Sequence, residues 1–188
     1  MTEPYRKKEA TKIPDEVGLV IAMLRDDLIN HKLKHVVPHK NIIRKKAETF
    51  LELPAILVEK IGSLEMLSSE PLPPDARLGY YWQAEMTVTC VCPEDIYTYY
   101  PPAPPGEVEP EETKFDGAEN FLRVPAWLVY TILSENREGY TDPETGLMID
   151  DIQPVSFLYM AGDYRGVSDL WAITQTFNIK FEMEAQNG

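Results

Sequence analysis

Three histidines, His31, His35 and His39, recur at four-residue intervals. On a continuous helix they would stack along one face, a geometry suited to holding a metal ion. Pro38 interrupts such a helix before His39, because proline removes a backbone donor and clashes with the preceding turn. No Cys, Asp or Glu lies between residues 31 and 46 to complete a ligand set. Lys32, Lys34, Lys40, Arg44, Lys45 and Lys46 crowd the same window instead, so a cation there meets repulsion unless distant carboxylates converge on it. A metal site, a basic surface for an acidic partner or nucleic acid, and plain exposed residues remain open; no metal ligand is assigned.

The other reactive side chains do not converge. Cys90 and Cys92 stand two residues apart, and on a strand they share a face at a spacing unsuited to a comfortable disulfide. They read as reduced core thiols of an intracellular protein. Asp26-Asp27 and Asp150-Asp151 are adjacent pairs whose side chains diverge, so they are expected on a solvated surface. Neither a glycine-rich phosphate cradle, nor GxSxG, nor HExxH occurs anywhere in the chain. No catalytic or cofactor-binding residue is assigned, no cofactor is expected, and the chain reads as a protein other than an enzyme.

Charge supplies a second lead. The 188 residues carry a net charge of −13, unevenly spread. Residues 1–46 hold 11 lysines and arginines against 6 acids, a net +5, while residues 47–188 hold 7 against 25, a net −18. Opposite charges at the two ends suit head-to-tail or ring-like self-association and oppose nucleic-acid binding by the acidic part. A solvated acidic surface with one basic edge is the simpler alternative. The composition, 44% hydrophobic with three Trp, ten Tyr and six Phe, supplies enough apolar material for one core. No segment nears the roughly 18 apolar residues of a membrane-spanning helix, the longest run being Val17 to Leu24, and no secretory signal opens the chain.

The elements that must position these residues follow from periodicity. The first dozen residues are polar and expected to be flexible. Pro14-Asp15-Glu16 suits a helix start, and Val17, Val20 or Ile21, Leu24 and Leu28 mark one apolar stripe. A helix is therefore predicted over about 14–33. Residues 34–50 are ambiguous; Asn41–Phe50 fits a short helix, a strand or a loop. Leu53–Ile61 reads as a strand, and the proline-rich stretch from Ser68 to Asp75 as a loop.

Residues 80–92 alternate strictly. Tyr80, Trp82, Ala84, Met86, Val88, Cys90 and Cys92 fall on one face, and Tyr81, Gln83, Glu85, Thr87 and Thr89 on the other. Leu170–Met183 repeats the device, with Trp171, Ile173, Phe177, Ile179, Phe181 and Met183 inward and Thr174, Thr176, Asn178, Lys180 and Glu182 outward. Between these strands lies a long acidic, proline-rich loop over 93–115, carrying Tyr97, Tyr99 and Tyr100. Asp116 and Glu119 resemble a capping box, but Pro125 favours a helix over Pro125–Glu135, led in by Phe121–Val124, with Leu128, Val129, Ile132 and Leu133 buried. A turn follows at Tyr140–Gly146, then a short strand over Pro154–Ala161 and a hairpin connection through Gly162–Gly166. The fold class is α+β, a single domain over 1–188. Its sheet is mainly antiparallel, of about four strands, with two or three helices on one face.

This series resembles the tail-terminator, or tail-completion, proteins of long-tailed bacteriophages. It consists of an amphipathic helix, a short strand from Pro54 to Ile61, the long strand from Tyr80 to Cys92, a mid-chain helix and a closing strand pair ending in Trp171–Glu182. The likeness spans about residues 14–184, although the 93–115 loop departs from the family pattern. It implies a subunit of a hexameric ring that caps the tail tube and docks the head–tail connector or neck protein. Contact with the sheath is implied in a contractile tail, and with DNA only by passage through the ring. The implied location is the virion tail or neck, after assembly in the host cytoplasm, with no membrane partner. Interface residues are expected in the basic segment, Lys40, Arg44, Lys45 and Lys46, and in the tyrosine loop, Tyr97, Tyr99 and Tyr100; stiff, proline-flanked tyrosines suit a protein interface. Another neck or baseplate subunit, or a stand-alone binding module or inhibitor using the tyrosine loop, are the alternatives.

Overall fold

The computed structural model describes residues 14–27, 33–45, 52–68, 79–96, 98–99, 113–114, 117–135, 139–142, 146–160, 163–164 and 167–184. The described residues have an α+β architecture: a five-stranded mixed sheet with two α-helices on one face, and two short two-stranded ladders beside it. Helix α1 spans Glu16–Asp26 and starts where Asp15 caps it, its carboxylate accepting from the Gly18 amide at 2.9 Å. The same carboxylate pairs with Arg44, so one side chain ties the helix start to the sheet edge. A Cβ on Gly18 would lie 2.6 Å from that carboxylate, so glycine is what lets the cap approach. Asp15→Ala is therefore expected to cost about 1 kcal/mol in urea denaturation, whereas Asp15→Asn, which keeps a capping oxygen, costs less than half of that. Equal losses in the two variants would mean that the ion pair, rather than the cap, supplies the stabilisation.

The predicted extension of α1 to residue 33 is corrected. Asp27 enters the left-handed region at φ 39°, its N–H bonds back to the Met23 carbonyl, and its own carboxylate accepts from the Leu33 amide at 3.1 Å. A short polar side chain makes that conformation affordable and closes the helix at Asp26. Two 3₁₀ turns, Leu33–His35 and His39–Asn41, follow on either side of Pro38. Strand β1, Ile42–Arg44, then settles the ambiguous 34–50 region in part, running parallel to β2, Ala55–Ser68. Parallel pairing makes the sheet mixed, and the strand count five rather than about four.

Strand β3, Gly79–Pro93, lies at the sheet centre, antiparallel to β2 on one side and to β9, Leu170–Glu184, on the other. Both long strands fall where the alternation places them. Within the 93–115 segment, β4, Thr98–Tyr99, pairs with β5, Thr113–Lys114, so the expected continuous loop contains a short ladder. Helix α2 runs from Ala118 to Glu135, seven residues ahead of the expected start. Pro125 sits inside it and is buried, at a typical cost of about 3 kcal/mol for a lost donor and a backbone clash. Ala118, Phe121 and Leu122 are buried in the turns before it, and that burial outweighs the cost. Val129, Ile132 and Leu133 are buried as expected, whereas Leu128 is only partly so.

Strand β6, Leu147–Met160, begins seven residues before Pro154 and forms the sheet edge beside β9. An edge strand tolerates a residue with no amide donor, and the register shifts at Pro154. A two-residue hairpin, β7 (Asp163–Tyr164) with β8 (Val167–Ser168), lies between β6 and β9, as the hairpin expectation requires.

The main core lies between the helices and one sheet face, gathering Leu19, Val20, Met23 and Leu24 of α1, Phe121 and Val129 of α2, and Met86, Val88, Phe177, Ile179 and Phe181 of the strands. Gln175 shares that face, is fully buried, and donates to the Ala126 carbonyl at 2.7 Å, docking α2 on β9. The opposite face is drier than its alternation suggests. Thr87 and Thr89 are buried, Thr89 shares a hydrogen bond with Thr174 at 2.9 Å, and Ala55, Leu57, Val91 and Ala172 form a second small apolar cluster.

Candidate functional site: an aromatic edge

The reactive residues named from sequence are dispersed or engaged. His35 and His39 sit on separate 3₁₀ turns rather than one helix face; His31 lies outside the described residues. Partial desolvation, then the Arg25 and Lys34 charges, lower the His39 pKa, so its ring is neutral at physiological pH and adds nothing to a basic surface. No group of three or more His, Cys, Asp or Glu is gathered as for a metal among the described residues. Cys90 and Cys92 are both free and buried on the helix-facing side of β3. Burial pushes the Cys92 thiol up to about 12 and holds Cys90 higher still, with the Cys92 sulfur adding to the effect.

The expectation that Asp26 and Asp27 are merely solvated is corrected. Asp27 is buried at the helix cap, and Asp26 accepts from the Tyr140 hydroxyl at 2.6 Å. That bond ties α1 to the turn before β6, where Gly139 and Tyr140 bond with Ile149 and Asp142 with Leu147. Burial, then the hydrogen bond to Asp26, raises the Tyr140 pKa. Asp150 is exposed, and Asp151 accepts from Gln153 at 2.6 Å.

The basic segment meets acids of its own chain. Lys40 pairs with Glu52, Arg44 with Asp15 and Lys45 with Glu59; Lys46 lies outside the described residues. Lys40 and Glu52 also line a shallow cleft of about 230 Å³ with Asn41 and Ile43. These pairs spend much of the positive field that the sequence suggests for residues 40–46. Tyr97 and Tyr100 lie outside the described residues, and the backbone of Tyr99 belongs to β4.

What the structure assembles instead is an apolar surface that crosses from α2 to the β6 edge. Trp127 is 65% exposed and stacks on Tyr130, with ring centroids 5.7 Å apart and planes 26° from parallel. Tyr130 in turn meets Phe157 at 5.9 Å. Phe157 is 59% exposed on β6, with Val155 and Leu158 beside it in sequence also more than half exposed. Taking about 150–250 Å² for each large side chain, Trp127, Val155, Phe157 and Leu158 leave roughly 450 Å² of apolar surface in water. Patches of that size on a monomer are commonly interaction sites. The helix positions Trp127 and Tyr130 through the buried stripe Leu122, Ala126, Val129 and Leu133, which turns residue 127 outward. Sequence reasoning missed this set, although a tryptophan off the apolar stripe and a bulky strand segment after an edge proline were both visible signals.

The opposite margin of the sheet carries a smaller set. Strand β1 covers β2 only at Ile56–Val58, and beyond it Ile61, Met66 and Leu67 are between two- and three-fifths exposed. No described helix is long and apolar enough to cross a membrane, so these surfaces are not explained by a helical span. Neither a protein-family model nor a curated protein matches this chain.

Proposed function

We propose that this chain is a structural subunit that assembles with copies of itself into a closed ring, of the kind formed by phage tail terminators. In that role the ring caps a tail tube and presents its other side to the head–tail connector. The observation that carries the self-assembly is the exposed aromatic edge, Trp127, Tyr130 and Phe157 with Val155 and Leu158, on a sheet margin with apolar residues at its other margin too. A sheet edge left apolar and bare invites association, and natural proteins blunt or cover such edges. The order of the principal elements, helix, strand pair, helix, strand pair, supports the tail-terminator assignment, because it retains the series on which that resemblance rests. The pairing of Lys40, Arg44 and Lys45 with acids of their own chain shifts the expected interface from the basic segment toward the apolar edges.

The test is multi-angle light scattering behind size exclusion over a wide concentration range. A discrete oligomer, expected as a hexamer of the 21.5 kDa chain, supports the proposal. A monomer at every concentration, still monomeric when mixed with purified tail tube, overturns it.

A further inference from the structure

Resting on that ring-forming reading, we infer that a second copy of this chain docks head to tail. The aromatic edge of one subunit, formed by α2 and β6, seats on the apolar β2 corner of the next.

The two surfaces occupy different margins and different ends of one sheet. Phe157 stands opposite Gln175 on β9, Gln175 opposite Val88 on β3, and Val88 opposite Val58 on β2. Met66 of β2 is reached along a separate rung, through Trp82, Phe181 and Ile149. The six-residue step from Val88 to Trp82 on β3 places Phe157 and Met66 roughly 20 Å apart along the strands and three strand spacings apart across them. A single subunit cannot close one patch over the other.

Both margins are apolar on both faces. Phe157 lies on the helix side, opposite Gln175, and Leu158 on the far side, opposite Thr174. At the other margin Met66 lies opposite Trp82 and Ile61 opposite Glu85, again on alternate sides. Flat one-sided docking would leave half of each set in water, whereas edge-on seating covers both faces at once.

The first half of β6 is guarded. Asp150 is exposed there, the register shifts between Ile149 and Asp151, and Pro154 lacks a donor, all devices that discourage edge pairing. The register shifts once more at Val155, between Pro154 and Ser156; from Ser156 to Leu158 the pairing is regular and unguarded, which places the contact at that corner.

Area admits a head-to-tail contact, and coverage separates it from a two-fold one. The β2 corner adds roughly 250 Å² of exposed apolar side chain to the ~450 Å² of the aromatic edge, about 700 Å² together. A stable interface at the small end of the standard range buries ~1,200 Å², of which about 60% is apolar, close to that sum. A two-fold contact between aromatic edges reaches about 900 Å² but leaves the β2 corner of every subunit bare. A head-to-tail contact covers both surfaces in each subunit and, where the rotation closes, generates a ring.

The experiment uses two full-length variants, each damaged at one surface. Phe157→Asp with Trp127→Ser disables the aromatic edge, and Ile61→Asp with Met66→Asp disables the β2 corner. All four positions are exposed, and unchanged circular dichroism and urea midpoints verify the fold; Phe157→Ser and Met66→Ser replace any pair that fails this check. Sedimentation velocity is expected to give an oligomer for the unaltered chain and a monomer for each variant alone. An equimolar mixture of the two variants is expected to give a heterodimer and nothing larger, since only one intact contact can form between them. If the unaltered chain forms an oligomer larger than a dimer and the β2-corner variant assembles equally well, the contact lies elsewhere; the inference is then overturned while the ring proposal stands, whereas an unaltered chain that stops at a dimer overturns both. A monomeric unaltered chain overturns both.

Discussion

Phe177→Ala is expected to lower the stability of the folded chain by about 3–5 kcal/mol. Phe177 is fully buried and stands between Met86 of β3 and Pro154 of β6, on the face covered by the helices. Truncation there removes the aromatic ring from a close-packed interior and leaves a cavity on β9, between the two strands that flank it. A domain stable by about 5–15 kcal/mol loses from about a fifth to nearly all of its margin. With a urea slope of about 2 kcal/mol per molar, the midpoint falls by about 2 M. Phe157→Ala is the matched control, the same change on the same sheet at a side chain 59% exposed. It is expected to cost under about 1 kcal/mol of monomer stability while weakening assembly. Similar midpoint losses for the two variants would contradict the division between a core phenylalanine and a docking one.

Alkaline pH is the second strong lever. Burial raises the Cys92 pKa from 9.0 to about 12, and raises those of Cys90 and Tyr140 as well. Between pH 9 and 12 the unfolded chain has released its Cys92 proton while the folded chain still holds it. The folded state therefore binds more protons, and stability falls as pH rises through that window, being fully present below about 9. For Cys92 alone the shift corresponds to a loss on the order of 4 kcal/mol by pH 12. Tyr140 acts in the same direction, because its ionisation breaks the bond to Asp26 and sets two negative charges together. Urea midpoints are expected to be level from pH 7 to 8.5 and to drop steeply above 9. Cys92→Ala, although less stable at neutral pH, is expected to show a shallower drop. A wild-type midpoint unchanged at pH 10.5 would show that the thiols ionise freely in the folded chain, contrary to their burial.

The parts of the fold legible in the sequence were those where one physical term dominates. Thirteen alternating residues at 80–92 permit little besides a strand with one buried face, and β3 and β9 lie where the period places them. Where two terms compete, local rules lose. Pro125 marks a helix start by backbone chemistry, yet buried Ala118, Phe121 and Leu122 carry the helix seven residues further back. Pro154 marks a strand start by the same logic, yet β6 runs through it because an edge strand does not need that donor. Leu28 continues the apolar stripe of α1, but the Asp27 carboxylate closes the helix before it by capturing the Leu33 amide. Gln175, polar by type and omitted from the inward face, is buried because α2 offers it a carbonyl.

The candidate site was less legible for a related reason. Lys40, Arg44 and Lys45 formed a conspicuous run, but their acidic partners, Glu52, Asp15 and Glu59, are 12, 29 and 14 residues away, and only folding brings them together. Trp127 and Phe157 are thirty residues apart and belong to different element types, so no local pattern joins them. Their union through Tyr130 depends on α2 lying along the β6 side of the sheet.

The central claim, a ring built from copies of this chain, is met most directly by negative-stain electron microscopy of the purified full-length protein. Closed annular particles with six-fold class averages are the expected result. A uniform field of single-subunit particles, at concentrations where light scattering also finds only the 21.5 kDa species, would contradict it.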